Sequence, residues 1–212
     1  MFVLFLFIAL TQSKYLSIHL YSSQFNLEEY QNQVKEKHTN FIPFNSTINQ
    51  PTVVLYSTMF LDDAEEAIAL KAAQILSKQP ECEMKTKSFY SSSGNCYLNF
   101  QFNDCLNQLV QSLQTGLSFY RDPNHKNNYC KIADEDYCNE YGEPDVLDKW
   151  YAEMFLGYDQ DYYNEKIEGK VIEGFNKVRI AYSNELRLVK EEDVVTNIIL
   201  RKKVSEHTVK EK

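Results

Sequence analysis

Few residues of this chain are of a type that does chemistry, and they are loosely grouped. Cys96 follows Gly94-Asn95, and a nucleophilic thiol needs a histidine to hold it as thiolate and a third group to orient that histidine. His207 is the one histidine far enough downstream, and only five residues follow it, which leaves no place for the orienting group. The four histidines, at 19, 38, 125 and 207, form no pair with metal-ligand spacing. His125 lies near Cys130 and Cys138, where a disulfide-bridged loop is the simpler account. Among the carboxylates, Asp134, Asp136 and Asp145 fall at positions 1, 3 and 12 of a calcium loop, but Cys138 and Asn139 occupy positions 5 and 6, and position 6 needs glycine. Asp134 with Glu140 would suit glycoside hydrolysis, although twelve acids crowd the same segment and no pair stands out. Six glycines build no phosphate-cradling loop, and there is no Gly-x-Ser-x-Gly, His-Glu-x-x-His or Cys-x-x-Cys.

These absences point away from an enzyme and away from bound cofactors: no catalytic set and no metal set is expected. The remaining candidates are structural or surface residues. Cys82, Cys96, Cys105, Cys130 and Cys138 lie in the middle of the chain and predict up to two disulfides with one thiol left over, by any of fifteen pairings. Asn45-Ser46-Thr47 is the chain's single N-glycosylation acceptor.

The N-terminus fits an oxidising compartment. Met1 to Leu10 is apolar throughout, which suits the core of a signal peptide and is too short for the roughly 20-residue helix that crosses a bilayer. Residues 1–13 are therefore expected to be a signal peptide. Two other readings are a short anchor continuing through Tyr15, Leu16, Ile18 and Leu20, and a buried N-terminal strand or helix. Localisation follows as secreted or lumenal in the secretory pathway, with a membrane-anchored protein as the alternative.

The charge is uneven. The whole chain carries −8 from 22 Lys+Arg and 30 Asp+Glu, whereas residues 134–168 alone carry −10 from twelve acids and two lysines. The acidity is thus local, and it excludes a broadly basic nucleic-acid surface. Trp150 and six tyrosines are interleaved with these carboxylates. Tyr137, Tyr141, Trp150, Tyr158 and Tyr162 are the candidate partner-binding residues, because aromatics with hydrogen-bonded polar tips carry interface energy.

The elements that must position these residues read as α+β. Residues 26–39 suit a short exposed helix, Thr52 to Ser57 a strand, and Asp62 to Ser77 a helix with an acidic first turn. Met84 to Tyr90 and Cys96 to Phe102 read as strands about a Ser91–Asn95 turn, the second alternating apolar and polar. Asn103-Asp104 caps a helix with Leu106, Leu109, Val110, Leu113 and Leu117 on one face. A helix over 145–155, a hairpin from Val178 to Leu188, a helix face at Val194 to Ile199 and a frayed basic tail from Arg201 complete the reading. The predicted architecture is a single domain over 14–212, of short antiparallel strands with several helices, disulfide-stapled in its middle third.

Function follows as a secreted or lumenal non-enzymatic binding or structural protein. Its acidic, Tyr-rich surface would meet a protein partner of basic character, with no nucleic acid, and with membrane contact only if the N-terminal segment is retained. A membrane-anchored accessory subunit of a membrane complex and a thiol or carboxylate hydrolase are the alternatives.

Overall fold

The computed structural model describes residues 13–22, 24–44, 52–125, 130, 135–144, 146–161, 164–167, 169, 171–172, 177–183 and 206–207. The fold is α+β, with antiparallel pairing throughout, as the sequence predicts.

Chain order runs β1 (Ser13–Tyr21), α1 (Leu27–Lys35), β2 (Ile42–Pro43), β3 (Val53–Leu61), α2 (Glu65–Leu76), β4 (Met84–Ser92), β5 (Asn95–Phe100) and α3 (Asp104–Leu117). Then come α4 (Glu135–Tyr141), β6 (Glu153–Tyr158), β7 (Asn164–Lys166), β8 (Val171–Ile172), β9 (Lys177–Ser183) and β10 (Glu206–His207). Across the sheet the order is β10-β9-β1-β3-β6-β5-β4-β7, with β2 pairing β6 and β8 pairing β4.

Most strand pairs share several residues, whereas β3 and β6 share only Val53 with Met154. That thin join divides the sheet into a β9-β1-β3 half and a β6-β5-β4 half. The helices cross it. α1, which follows β1, packs on β6 of the other half, while α3, which follows β5, packs on β3 and against α2. Two buried glutamines fasten these crossings. Gln31 on α1 donates to the carbonyls of Phe44 (2.8 Å) and Leu156 (2.7 Å). Gln114 on α3 donates to the Leu55 carbonyl (2.9 Å) and accepts from the Leu147 N–H (2.6 Å).

Local chemistry explains the elements. Asn26 and Asn103 cap α1 and α3 by accepting from Glu29 and Leu106 N–H. The helix read as exposed, α1, buries Leu27, Tyr30, Gln31 and Val34 because its apolar spacing faces the sheet. Ser93 and Gly94, both at positive φ, close the β4–β5 hairpin in two residues. Gly157 has φ +157°, and a Cβ there would collide with the Ile42 carbonyl and the Phe41 ring where β2 straps over β6.

Two expectations are corrected. The helix over 145–155 is instead a 3-10 turn (Leu147–Lys149) followed by β6, whose buried Met154 and Leu156 alternate with half-buried Glu153 and Phe155. The proposed anchor continuation through Tyr15 and Leu20 is the central strand β1, with Leu16, Ile18 and Leu20 wholly buried among protein. The first limb of the hairpin read at 178–188 is a strand as expected, β9, which pairs with β1. The hairpin's second limb and the helix face at 194–199 lie outside the described residues, and Glu206–His207, in the stretch expected to fray, pairs with β9.

Cys82 is bonded to Cys105 and Cys130 to Cys138, and Cys96, buried on β5, belongs to neither disulfide. The first bridge joins the approach to β4 to the first turn of α3. The second ties Cys130 to α4, whose end is held by the buried Arg121: its guanidinium donates to the carbonyls of Glu140, Asn139, Asp122 and His125.

Candidate functional site

A groove of about 480 Å³ opens along the thin join between the two halves. Strand alternation explains what faces it. On β1, Leu16, Ile18 and Leu20 fill the core, so His19 lies on the opposite face, at the groove. The β1–β3 register slips between Ile18, opposite Tyr56, and His19, opposite Val54, which makes Leu55 the extra residue of a bulge. The Leu55 carbonyl at this bulge is the one that Gln114 holds.

His19 Nδ1 lies 2.7 Å from the Thr52 hydroxyl. A hydroxyl can donate to a neutral imidazole and accept from a protonated one, so Thr52 fixes the ring in either state. On the same wall, the Ser57 hydroxyl donates to the Tyr15 phenol oxygen, and Glu143 lies close enough for its charge to oppose ionisation of Tyr15 and Tyr56. Burial is the main cause of the raised pKa of both phenols; Ser57 opposes it at Tyr15 and Arg121 at Tyr56.

The second wall is aromatic. Tyr90 on β4, Tyr97 on β5 and Phe155 on β6 stand in register across three strands. Tyr90 and Tyr97 are stacked with centroids 5.3 Å apart, and Phe155 lies 5.7 Å from Tyr97. Phe44 and Tyr158 pack edge-on to Phe155 at 5.0 and 5.2 Å. Beside this row, Glu153 pairs with Asn99 across the strands and is hydrogen-bonded by the Tyr90 hydroxyl. Burial, then that bond and the carboxylate's charge, raise the Tyr90 pKa. Trp150 closes the join, its indole N–H donating to the Val54 carbonyl at 2.9 Å, with exposed Tyr151 next to it.

The groove thus offers flat rings to stack on, one imidazole to move a proton, and two carboxylates, Glu143 and Glu153, to accept hydrogen bonds. No lysine or arginine is among its described lining residues. No group of three or more His, Cys, Asp or Glu that would hold a metal is gathered among the described residues.

Of the residues singled out from sequence, Trp150 is in the groove. Tyr137 and Tyr141 sit edge to face on α4, Tyr137 bonded to Asp148 and Tyr141 buried, and Tyr158 is exposed at the end of β6. Asn45, Tyr162, Asp134 and Asp145 lie outside the described residues. Cys96 and His207 belong to β5 and β10, five strands apart and hence roughly 24 Å across the sheet, so they form no thiol–imidazole pair. His19, Thr52, Tyr97, Glu153 and Phe155 escaped sequence reading as a set, because four elements supply them. The signal that would have found them is alternation: on β1 and β6, every second residue is core and the residues between face the groove.

No protein-family model matches the chain, and no curated protein sequence matches it. Solved structures do. E. coli LigT in its apo form superposes with a TM-score of 0.55 at 14% identity, covering 82% of this chain and 89% of LigT. LigT complexed with 3′-AMP gives 0.52 at 13% identity over 82% and 89% of the two chains. A Thermus thermophilus protein gives 0.53 at 10% identity over 80% and 88%. LigT has also been solved with NADP+ and with ATP, and another similar structure is described as a phosphoesterase.

This likeness overturns several expectations. A fold shared with a phosphoesterase and with nucleotide complexes replaces the non-enzymatic binding protein, and it replaces a basic protein partner without nucleic acid. The secreted glycoprotein and the membrane-complex subunit do not fit these neighbours, and β1 takes the proposed continuation of the anchor; residues 1–12, read as a signal peptide or short anchor, lie outside the described residues, among which no helix is long and apolar enough to cross a membrane. At 10–14% identity the kinship is one of fold: this chain has the two-halved antiparallel fold of LigT.

Proposed function

We propose that the groove binds a nucleotide phosphoester and acts on it, with the base on the Tyr97–Phe155 wall and the ester toward His19. The observation that carries this reading is an imidazole held by Thr52 in a groove whose lining also includes the rings of Phe44, Tyr97, Trp150 and Phe155, on a fold whose solved examples hold 3′-AMP and ATP. Rings in register suit a base, since stacking is worth about 1–3 kcal/mol per base.

Hydrolysis of the ester needs one group to take a proton from water and one to give a proton to the leaving oxygen. His19 fills one role, and Glu143, the carboxylate of that wall, fills the second. The two carboxylates disfavour highly charged ligands by repulsion. A singly charged phosphodiester therefore suits the groove better than a triphosphate.

The test is hydrolysis of a nucleoside phosphodiester by the purified chain and by His19→Gln. Loss of about 10²–10⁴-fold in kcat/KM is expected for the variant. Absence of turnover in the unaltered protein, or full activity in His19→Gln, refutes the proposed chemistry.

A further inference from the structure

We propose that Tyr151 is the ring on which the base stacks. This rests on the nucleotide reading above and adds to it the residue that meets the base face to face.

Burial alternates on the way into β6: Trp150, Ala152 and Met154 pack inward, while Tyr151 and Glu153 line the groove. Tyr151 is 65% exposed, and it is the one exposed ring among the groove's described lining residues. The backbone on either side of it is pinned. The Trp150 indole donates to the Val54 carbonyl at 2.9 Å, and the Ala152 carbonyl accepts from the Phe100 N–H at 2.9 Å. An open tyrosine ring on a fixed backbone loses little freedom when a ligand covers it.

The register sets this ring near the ester. Val53 pairs with Met154 and Val54 with His19, so His19 is level with Glu153. Tyr151 and Phe155 stand two residues to either side of that level, roughly 7 Å along the strand. Phe155 is already met by Tyr97, Phe44 and Tyr158, at interplanar angles of 60°, 66° and 74°, and Tyr97 is stacked on Tyr90. Tyr151 meets no other aromatic ring among the described residues, so both of its faces are open. A base whose ester lies at His19 therefore lays its face on Tyr151 and turns its edge to the Phe155 wall. Every base has a π-face, so the contact serves purines and pyrimidines alike.

The experiment measures Kd for AMP and CMP on the full chain by calorimetry, for the unaltered protein, Tyr151→Ala and Tyr151→Phe, with circular dichroism to confirm folding. Tyr151→Ala is expected to weaken both nucleotides by about 5- to 150-fold, the loss that removal of a stacking ring gives. Tyr151→Phe, which keeps the ring and lacks the hydroxyl, stays within about twofold of the unaltered protein. In the unaltered complex, nuclear Overhauser contacts join the adenine protons to the Tyr151 ring. If Tyr151→Ala binds AMP within about twofold of the unaltered protein, or if Tyr151→Phe loses as much as Tyr151→Ala, the assignment is overturned and the nucleotide reading stands. Absence of the Overhauser contacts overturns it as well, whether or not the variants fold. If the unaltered protein binds no nucleotide, both readings fall.

Discussion

Replacing Gln114 by Leu tests how the two halves are held. Gln114 is wholly buried, and its amide answers two backbone groups at once: the Leu55 carbonyl at the β1–β3 bulge and the Leu147 N–H that begins the turn before β6. Leu fills similar space and answers neither. A buried polar group left unsatisfied costs about 1–3 kcal/mol; the Leu55 carbonyl is deeply buried and belongs at the upper end, and the partly buried Leu147 N–H near the lower. The expected loss is about 2–4 kcal/mol, out of a total near 5–15 kcal/mol for a domain. Urea unfolding followed by circular dichroism measures it, and for a chain of this size Tm falls by about 5–15 °C. Gln114→Glu separates the two bonds. Its carboxyl keeps the acceptor for Leu147, and only when protonated can it donate to Leu55. Burial raises its pKa in the folded state, so the folded protein binds the proton more tightly. The variant is then nearest the parent below about pH 4 and loses stability as pH rises above the unfolded value near 4.3. A Gln114→Leu loss under about 1 kcal/mol, or a Gln114→Glu difference that does not grow with pH, refutes this account of the join.

Further outcomes follow from the same structure. Gly157→Ala forces a methyl against the Ile42 carbonyl at a positive φ, and urea unfolding should show a loss of at least about 1–3 kcal/mol, with the β2 strap detached. Removing the Cys82–Cys105 bridge, which spans 23 residues, should cost about 3.4 kcal/mol, against about 2.5 kcal/mol for Cys130–Cys138, which spans 8; equilibrium unfolding of the paired Cys→Ser variants checks the order. In alkaline titration followed by tyrosinate absorbance, Tyr15, Tyr56 and Tyr90 should stay protonated after exposed phenols have ionised. Their folded pKa values lie above the ordinary 10.0, so the stability they contribute is full below pH 10 and is lost as pH rises beyond it toward the folded values.

How much of this was legible in the sequence depended on how far apart the determining residues lie. The β4–β5 hairpin and α3 were readable because Gly94, the alternation from Cys96 to Phe100 and the Leu106–Leu117 stripe are local signals. β1 was obscured because its apolar residues continue a hydrophobic run that imitates a signal peptide. β6 was read as a helix because acids and aromatics conceal the period-two burial of Met154 and Leu156, which is fixed by pairing with β5. The cysteine partners depend on the chain path, which brings residue 82 to the start of α3. The groove was the least legible: His19 is one ordinary strand residue until β3, β5 and β6 are set beside it, and no single stretch holds two of its chemical groups at a recognisable spacing.

The single ladder pair of Val53 with Met154 has a mechanical consequence. A sheet resists bending in proportion to the bonds along each seam, and here, apart from the crossing helices and their glutamines, one ladder pair and the Trp150 indole bridge the gap that the groove spans. The halves form two stiff plates on a compliant hinge, and anything seated between them acts as a strut. Occupancy should therefore appear in amide exchange as slowed opening at Val53, Val54 and Met154, with little change at the centre of the β4–β5 hairpin.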